Sequence, residues 1–563
     1  LLHSRLSIID LDERANQPFR HGSHTVVFNG EIYNYLESRQ TLEARGSRFR
    51  TTSDTEVLVE AIAKRGWGVL DAAEGMWAFA LYEEVSGVLT LCRDRFGEKP
   101  LYLLRDGGNL YFGSEAKFVF ALAGRQSAVD HDQIRRYLVY GYKSLYKHGQ
   151  TFFEGLGELE AATTLRLTGE GREEIRRYWT PPVAVEPGMS FEEAVAGTRE
   201  RVTRSMELRL RADVPLAFCM SGGIDSNSLI SAAKRVFGYD VHGFTVTNTD
   251  ARYEEQEMVN HAVAELGIRH TSIPVSTGGF LERLRELVRY HDAPVYTITY
   301  YAHWLLMEAV KAHGYRIAVS GTAADELFTG YYDHHLAYLS EIQHDAALHE
   351  ASVQAWRELV QPLVRNPHLS DPDLFVKTPS FRGHITLGSE RFAEWVTGSR
   401  KELFKETAYS RDLLRNRMLN ELFTENVPVI LHEDDLNAMY FSIENRSPFL
   451  DRSLFEFAYS IPTKHLIRNG RAKAILREAM RGIVPDKILD NPRKVGFNAP
   501  IFSFLDVNQP EVRRQLLADS PIYDVVRKPA IERLLDSPDL ANSESKFLFS
   551  FLVSKMFLEE FRR

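Results

Sequence analysis

At 563 residues, 44% hydrophobic and 26% charged, the chain is long enough for two or more domains and has the composition of an ordinary globular protein. Its formal net charge of −9 argues against broad nucleic-acid binding, and no apolar run approaches the roughly 20 residues that cross a bilayer. With only two cysteines, Cys92 and Cys219, a disulfide framework is not expected, and the chain reads as cytoplasmic.

The chain opens on "LLHSRLSIID", a strand-like run already under way, which reads as a start inside a domain. "HTVVFNGEIYNY" follows as a strand ending at Asn29-Gly30, and "DTEVLVEAIAKRG" has helical apolar spacing at Val57, Leu58, Ala61 and Ile62. Two hairpins are predicted next, one turning at Ser86-Gly87 and one at Asp106-Gly107-Gly108. Hairpins with helices imply an antiparallel α+β domain. "YWTPPVAVEPGMS", residues 178 to 190, reads as a linker, so the expected domains are residues 1–180 and 190–563.

Beyond the linker the rhythm becomes strand–helix alternation: "VPLAFCM", "VHGFTV", "RHTSIPV" and "YRIAVS" are strands separated by helical patterns. That alternation implies a doubly wound parallel sheet, with ligands beyond the carboxyl ends of its strands. Residues after about 335 read as mostly helical. Two loops fall at such strand ends, "SGGIDS" after the first strand and "SGTAADE" after the last. In the first, glycines admit backbone N–H groups to an anion and the helix start adds free donors. Ser221 and Ser226 can donate to phosphate oxygens, and Asp225 implies a bridging Mg²⁺. The structural alternative is a tight turn with Ser226 capping the helix.

"SGGIDS" resembles the pyrophosphate loop of ATP pyrophosphatases, and no Walker sequence is present. Together with "RLSIID", "FNGEIYN", "SDTEVL", "GMWAFALYE", "RDRFGEKPLYL", "ADELFTGY", "IENRSPFLD" and "KVGFNAPI", it is similar to the glutamine-dependent asparagine synthetases over nearly the whole chain, residues 335–430 excepted. The resemblance implies an N-terminal αββα glutaminase-type domain followed by an α/β ATP-pyrophosphatase domain. It implies ATP and Mg²⁺ as cofactors, and aspartate or a related acid with glutamine or ammonia as substrates. The charge and the lack of a long apolar run leave no nucleic-acid or membrane partner expected, and a homodimer is one open expectation. Arg5, Asn29, Gly30, Glu31 and Asp54 would hold glutamine. The family's N-terminal nucleophilic cysteine has no counterpart before Arg5, and Cys92 and Cys219 read as structural, so the expectation for the chain as given is no glutaminase activity.

In the synthetase half the resemblance assigns Met220, Ser221, Gly222, Gly223, Asp225, Ser226, Val246, Ser320 and Gly321 to ATP, Asp225 and Asp325 to Mg²⁺, and Lys494 to the pentacoordinate phosphorus. Lys473 is a further phosphate candidate whose alternative is a solvated helix lysine. Glu444 and Arg446 read as a structural ion pair, with substrate contact as the alternative. His334 and His335 point about 100° apart on a helix and read as a solvated face. The departure is Thr322-Ala323, where the family usually has Glu-Gly; Glu326, Glu444 or a substrate carboxylate are the substitutes considered. The implied reaction is amide formation through an acyl-AMP. Two alternatives stand beside asparagine formation from aspartate: an amide synthetase acting on another acid in a polysaccharide or natural-product pathway, and a non-catalytic homologue serving as an interaction subunit.

Overall fold

The computed structural model describes residues 1–247, 255–275, 277–399, 401–491, 501–537 and 540–562; Lys494 lies outside them. Two antiparallel sheets form the N-terminal part. The first has the order β1 (Phe19–His21), β2 (His24–Ile32), β3 (Gly75–Glu83), β4 (Val88–Arg93), β8 (Thr163–Leu167), β9 (Glu173–Arg177). The second is β6 (Asn109–Gly113), β5 (Tyr102–Asp106), β7 (Leu156–Glu158).

Period-two alternation stacks them into four layers. Trp77, Phe79 and Leu81 of β3 pack under the helix Asp54–Arg65 with Leu58, Val59 and Ile62. Ala78 and Ala80 of the same strand face Leu103 of β5. Tyr102 and Leu104 turn the other way, onto Val119, Ile134 and Tyr137 of the helices Ala116–Ala123 and His131–Tyr140. Alanines at the sheet–sheet seam let the two sheets approach closely, and the bulky residues fill the helix-facing layers.

A long helix, Phe191–Arg209, opens the second part behind a capping box in which Ser190 and Glu193 bond reciprocally. The sheet it introduces is wholly parallel, in the order β12 (Arg269–Pro274), β11 (His242–Thr247), β10 (Leu216–Cys219), β13 (Ile317–Val319), β14 (Glu444–Arg446). The chain leaves β10 for one side and later returns on the other, so the switch point lies between β10 and β13. The two predicted loops follow these two strands. The edge strand β14 is a fifth that the sequence did not announce. Its Glu-Asn-Arg is buried by pairing rather than by apolarity, since Arg446 Nε donates to Glu444 Oε1 at 2.8 Å. The structural reading of that pair holds.

The two parts meet through polar contacts, the Lys99–Asp435 pair fully buried. Lys99 Nζ donates to Asp435 Oδ1 at 2.8 Å, and the Asp10 N–H to Asp213 Oδ2 at 2.7 Å. Arg446 donates to the carbonyls of Arg209 and Arg211, each at 2.8 Å, and lies over the Tyr33 ring. None of the described helices is long and apolar enough to cross a membrane.

Candidate active site

After β10 the chain turns through Met220, Ser221, Gly222 and Gly223 into the helix Ile224–Ser231. Ser226 Oγ accepts from the Ser221 N–H at 3.1 Å, and Ser221 Oγ accepts from the Gly223 N–H at 3.2 Å. The Gly222 N–H donates to Glu255 Oε2 at 3.2 Å. A side chain at Gly222 would meet Glu255 Cβ at 2.9 Å, so glycine is required for this approach. Glu255 thus holds its carboxylate where an anion is expected. Burial, together with Asp225 nearby, raises it to about 7 against the Gly222 hydrogen bond. The sequence reading missed this residue, because "EEQE" reads as a solvated helix start.

Met220 and Val246 behave differently from each other. Met220 is buried against Gly243, whose Cβ would meet Met220 Sδ at 2.9 Å, while Val246 is half-buried in register with Ile273. Both stand at the ends of adjacent strands.

After β13 the second loop, Ser320 to Ala323, leads into the short helix Ala324–Phe328. The two loops touch, since a Cβ on Gly321 would lie 3.1 Å from both Asp225 Cβ and the Ser226 nitrogen. Asp225 and Asp325 therefore converge, and Lys473 joins them. Its ammonium lies 2.6 and 2.7 Å from the Asp225 oxygens and 2.6 Å from Asp325 Oδ1, with the residue only 5% exposed. Lys473 is thus no solvated helix lysine. It precedes the helix Ala474–Ala479 in the left-handed region at φ 58°, and its N–H donates to Thr329 Oγ1 at 3.1 Å. Ala323 and Thr329 are also left-handed, at φ 76° and 69°. Three non-glycine residues held there mark a strained cluster of the kind found at functional sites. Burial pushes the Lys473 ammonium down, and Asp225 and Asp325 hold it above the ordinary lysine range, so it stays charged.

Behind this loop lies a buried ion network. His334 and His335 are buried, not solvated. His334 Nδ1 accepts from the Gly330 N–H at 3.2 Å, and its Nε2 lies 2.6 Å from Glu421 Oε2. Asp333, His334 and Glu421 are close enough to suggest a metal. Both His334 nitrogens are occupied, however, and Arg417 supplies the positive charge. Its guanidinium meets Glu421 at 3.3 Å and Asp333 at 3.8 Å, and bonds to Glu406 and Glu425. Among the described residues Arg417 is the one cation shared by all four carboxylates: an apolar side chain there leaves Asp333, Glu406, Glu421 and Glu425 each to its remaining partner, His384, Arg382, His334 and Lys147. Arg417→Met is expected to destabilise the protein by about 3–5 kcal/mol at neutral pH. Denaturant midpoints measure this, and part of the loss should be recovered toward acid as the carboxylates protonate.

In the N-terminal part Glu31 and Asp54 form a second acidic pair. The Ile32 N–H donates to Asp54 Oδ2 at 2.8 Å, and Asp54 is the first residue of its helix, which Ser53 caps. Glu31 Oε2 is buried without a hydrogen-bond partner. Burial raises Glu31 well above the usual carboxylate range, with Asp54 and then Glu444 adding to it. Burial raises Asp54 to about 6. Two buried carboxyls with an orphaned oxygen suit an ammonium guest. Gly30 lies in β2, where a Cβ would fall 2.1 Å from the Met76 carbonyl oxygen, so only glycine fits beside Asn29. Arg5 does not project as a free fork. Its guanidinium donates to the carbonyls of Ile9, Asp10 and Asp12 and to Asn16 Oδ1. Cys92 and Cys219 have thiols that burial holds well above the ordinary range, so neither is an activated nucleophile.

Residues 197–559 match the asparagine synthase family, and residues 1–179 match the glutamine amidotransferase domain. The chain belongs to the asparagine synthase family. Glutamine-hydrolyzing asparagine synthetase 1 of Bacillus subtilis (strain 168) is 28% identical over 557 residues, covering 94% of this chain and 85% of that protein. Glutamine-hydrolyzing asparagine synthetase 3 of the same strain is 28% identical over 522 residues, covering 86% and 78%. A protein named amidase chyE, from Penicillium rubens, is 27% identical over 544 residues, covering 87% and 80%. Membership makes this chain an ATP-dependent amide ligase acting on small molecules. In this member of the asparagine synthase family the Ser221–Ser226 loop and the Asp325 loop meet at one switch point, joined by Lys473.

Proposed function

We propose that this ligase activates aspartate with ATP as an acyl-AMP and releases asparagine after attack by ammonia drawn from glutamine. The observation that carries this reading is the Lys473 ammonium bridging Asp225 and Asp325 where β10 and β13 end. A carboxylate is a poor acyl donor until its oxygen becomes a leaving group, and adenylation provides that. Ser221, Ser226 and the Gly222 and Gly223 N–H groups receive pyrophosphate once Glu255 yields its place. Lys473 balances the charge that grows on the phosphorus oxygens. Asp225 and Asp325 offer a hard, oxygen-only donor set that fits Mg²⁺; when bound there, the ion supplies neutralisation of phosphate charge. Lys494 keeps its role by resemblance alone.

The test is incubation with ATP, Mg²⁺ and ammonium across a panel of acids, scored for pyrophosphate, AMP and amide. Pyrophosphate with aspartate supports the reading. Pyrophosphate with a different acid replaces aspartate, an outcome favoured by Thr322 standing in the loop and by a relative named an amidase. No pyrophosphate with any acid would refute it.

The Glu31–Asp54 pair gives the glutamine site its own signature. Both carboxyls are raised in the fold, so the folded state holds protons that the unfolded chain releases, and stability falls as pH rises out of the ordinary carboxylate range, through about 6 for Asp54 and beyond its usual range for Glu31. An α-ammonium binds the ionised pair and restores that loss. Glutamine is therefore expected to raise the melting temperature clearly at pH 7.5 and hardly at pH 5, with Glu31→Gln erasing the difference. A shift equal at both pH values counts against the pocket.

A further inference from the structure

Thr322 faces an acid across the site that the loop itself does not carry. Its Oγ1 lies 3.0 Å from Ser320 Oγ and donates to Asp434 Oδ2 at 3.3 Å. Asp434 projects from the helix Val427–Tyr440, and its other oxygen lies 3.5 Å from His303 Nδ1. Asn437 steadies that ring, with Nδ2 3.2 Å from His303 Nδ1 and 3.0 Å from the Tyr300 carbonyl. His303 Nε2 is buried without a partner.

The neighbouring acids are committed elsewhere. Glu326 accepts from Tyr331 Oη at 2.7 Å, Glu444 is held by Arg446, and Asp435 by Lys99. Asp225 and Asp325 face Lys473. Asp434 instead reaches the ends of the strands through a hydroxyl, the geometry of a proton relay.

We propose that Asp434, acting through the Thr322 hydroxyl and backed by His303, accepts the proton released when the amine attacks the activated acyl group. The inference rests on the acyl-AMP reading above. Ammonia's lone pair forms the N–C bond, and the carbonyl pair moves onto oxygen. The resulting ammonium gives one proton to Thr322 Oγ1 as Thr322 passes its own proton to the Asp434 carboxylate. The C–O bond to phosphate then breaks, AMP leaves with the electron pair, and the amide C=O re-forms. Thr322 alone is no base near neutral pH, and a partnered carboxylate supplies what it lacks. Burial raises the Asp434 carboxyl, with His303 and Thr322 opposing that rise, so it is a stronger base than an exposed aspartate. The other ionisable groups around it are Glu433, Asp435 with Lys99, Tyr300 and Cys219.

The two half-reactions separate this role from a structural one. Acid-dependent ATP–pyrophosphate exchange reports activation, and amide formation from ammonium reports attack, measured first with L-aspartate and then with the acid panel. Asp434→Asn is expected to keep exchange within about threefold and to lose about 10²–10³-fold in amide formation. The wild-type amidation rate, normalised to free ammonia, should fall toward acid, and the variant should be flat. Thr322→Val, which leaves Asp434 in place, should copy the loss, and Thr322→Ser should restore most of it. Equal loss in both half-reactions for both variants, or no loss in either, overturns the proposal. Wild-type protein that exchanges no pyrophosphate with any acid overturns the function reading and the relay with it.

Discussion

Lys473→Met is expected to lower acid-dependent pyrophosphate release by about 10³-fold while the protein still folds. The reason is placement rather than charge alone. The ammonium is nearly sealed from water and within 2.6 Å of carboxylates from both strand-end loops. In such a site its field acts on the phosphorus oxygens with little screening. Removing it also leaves Asp225 and Asp325 opposed across the gap, so the loops lose the cation that draws them together. Lys473→Arg should recover little. The pocket is shaped for a compact point charge on a left-handed residue, and a planar fork cannot reproduce its contacts. Pyrophosphate kinetics together with the melting temperature decide the case. A variant that melts normally and keeps release within tenfold of wild type would remove Lys473 from the chemistry.

The layered architecture could be read from sequence wherever apolar periodicity carried it. Alternation of Trp77, Ala78, Phe79 and Ala80 announces a strand with two different faces, and β3 buries one against a helix and the other against a sheet. The loops after β10 and β13 were legible for a similar reason: an apolar run that stops at Ser-Gly is a local event. What escaped was held by long-range pairing. β14 is three polar residues whose burial depends on the Glu444–Arg446 pair and on the carbonyls of residues 209 and 211. Lys473 meets Asp225 across 248 positions, and nothing near it in the chain signals that partner. His334 was misread because helix geometry shows where a side chain points and not what stands opposite; Glu421 and Arg417 arrive from a later helix.

The acids around Thr322 show how far local reading went. Glu326 and Glu444 were the candidates closest to the family motifs, and each is spent on a neighbour. Asp434 sits in "LHEDDLNAM", where three successive acids interrupt an apolar helix. A run of acids inside a buried helix was the available signal, since buried carboxylates need partners. Arg5 is the opposite case, a motif residue whose guanidinium is largely occupied with its own loop.

Gly330→Ala tests whether the Asp325 position, rather than its mere presence, drives activation. Gly330 is not in the left-handed region, so alanine suits its backbone. The obstacle is spatial: the added Cβ would lie 1.8 Å from Asp325 Oδ1 and 2.4 Å from Cγ. The loop cannot easily retreat, because the Gly330 N–H is held by His334, which is fixed in turn by Glu421. The carboxylate must therefore swing away from Lys473. A loss of about 10²-fold in pyrophosphate release is expected, as for a displaced group at a reacting centre. Asp325→Ala removes the same carboxylate, so adding Gly330→Ala to it should cost little more. That non-additivity is the diagnostic of a shared partner. If the two losses simply multiply, Gly330 acts on the loop independently of Asp325, and the geometry drawn around Lys473 is wrong.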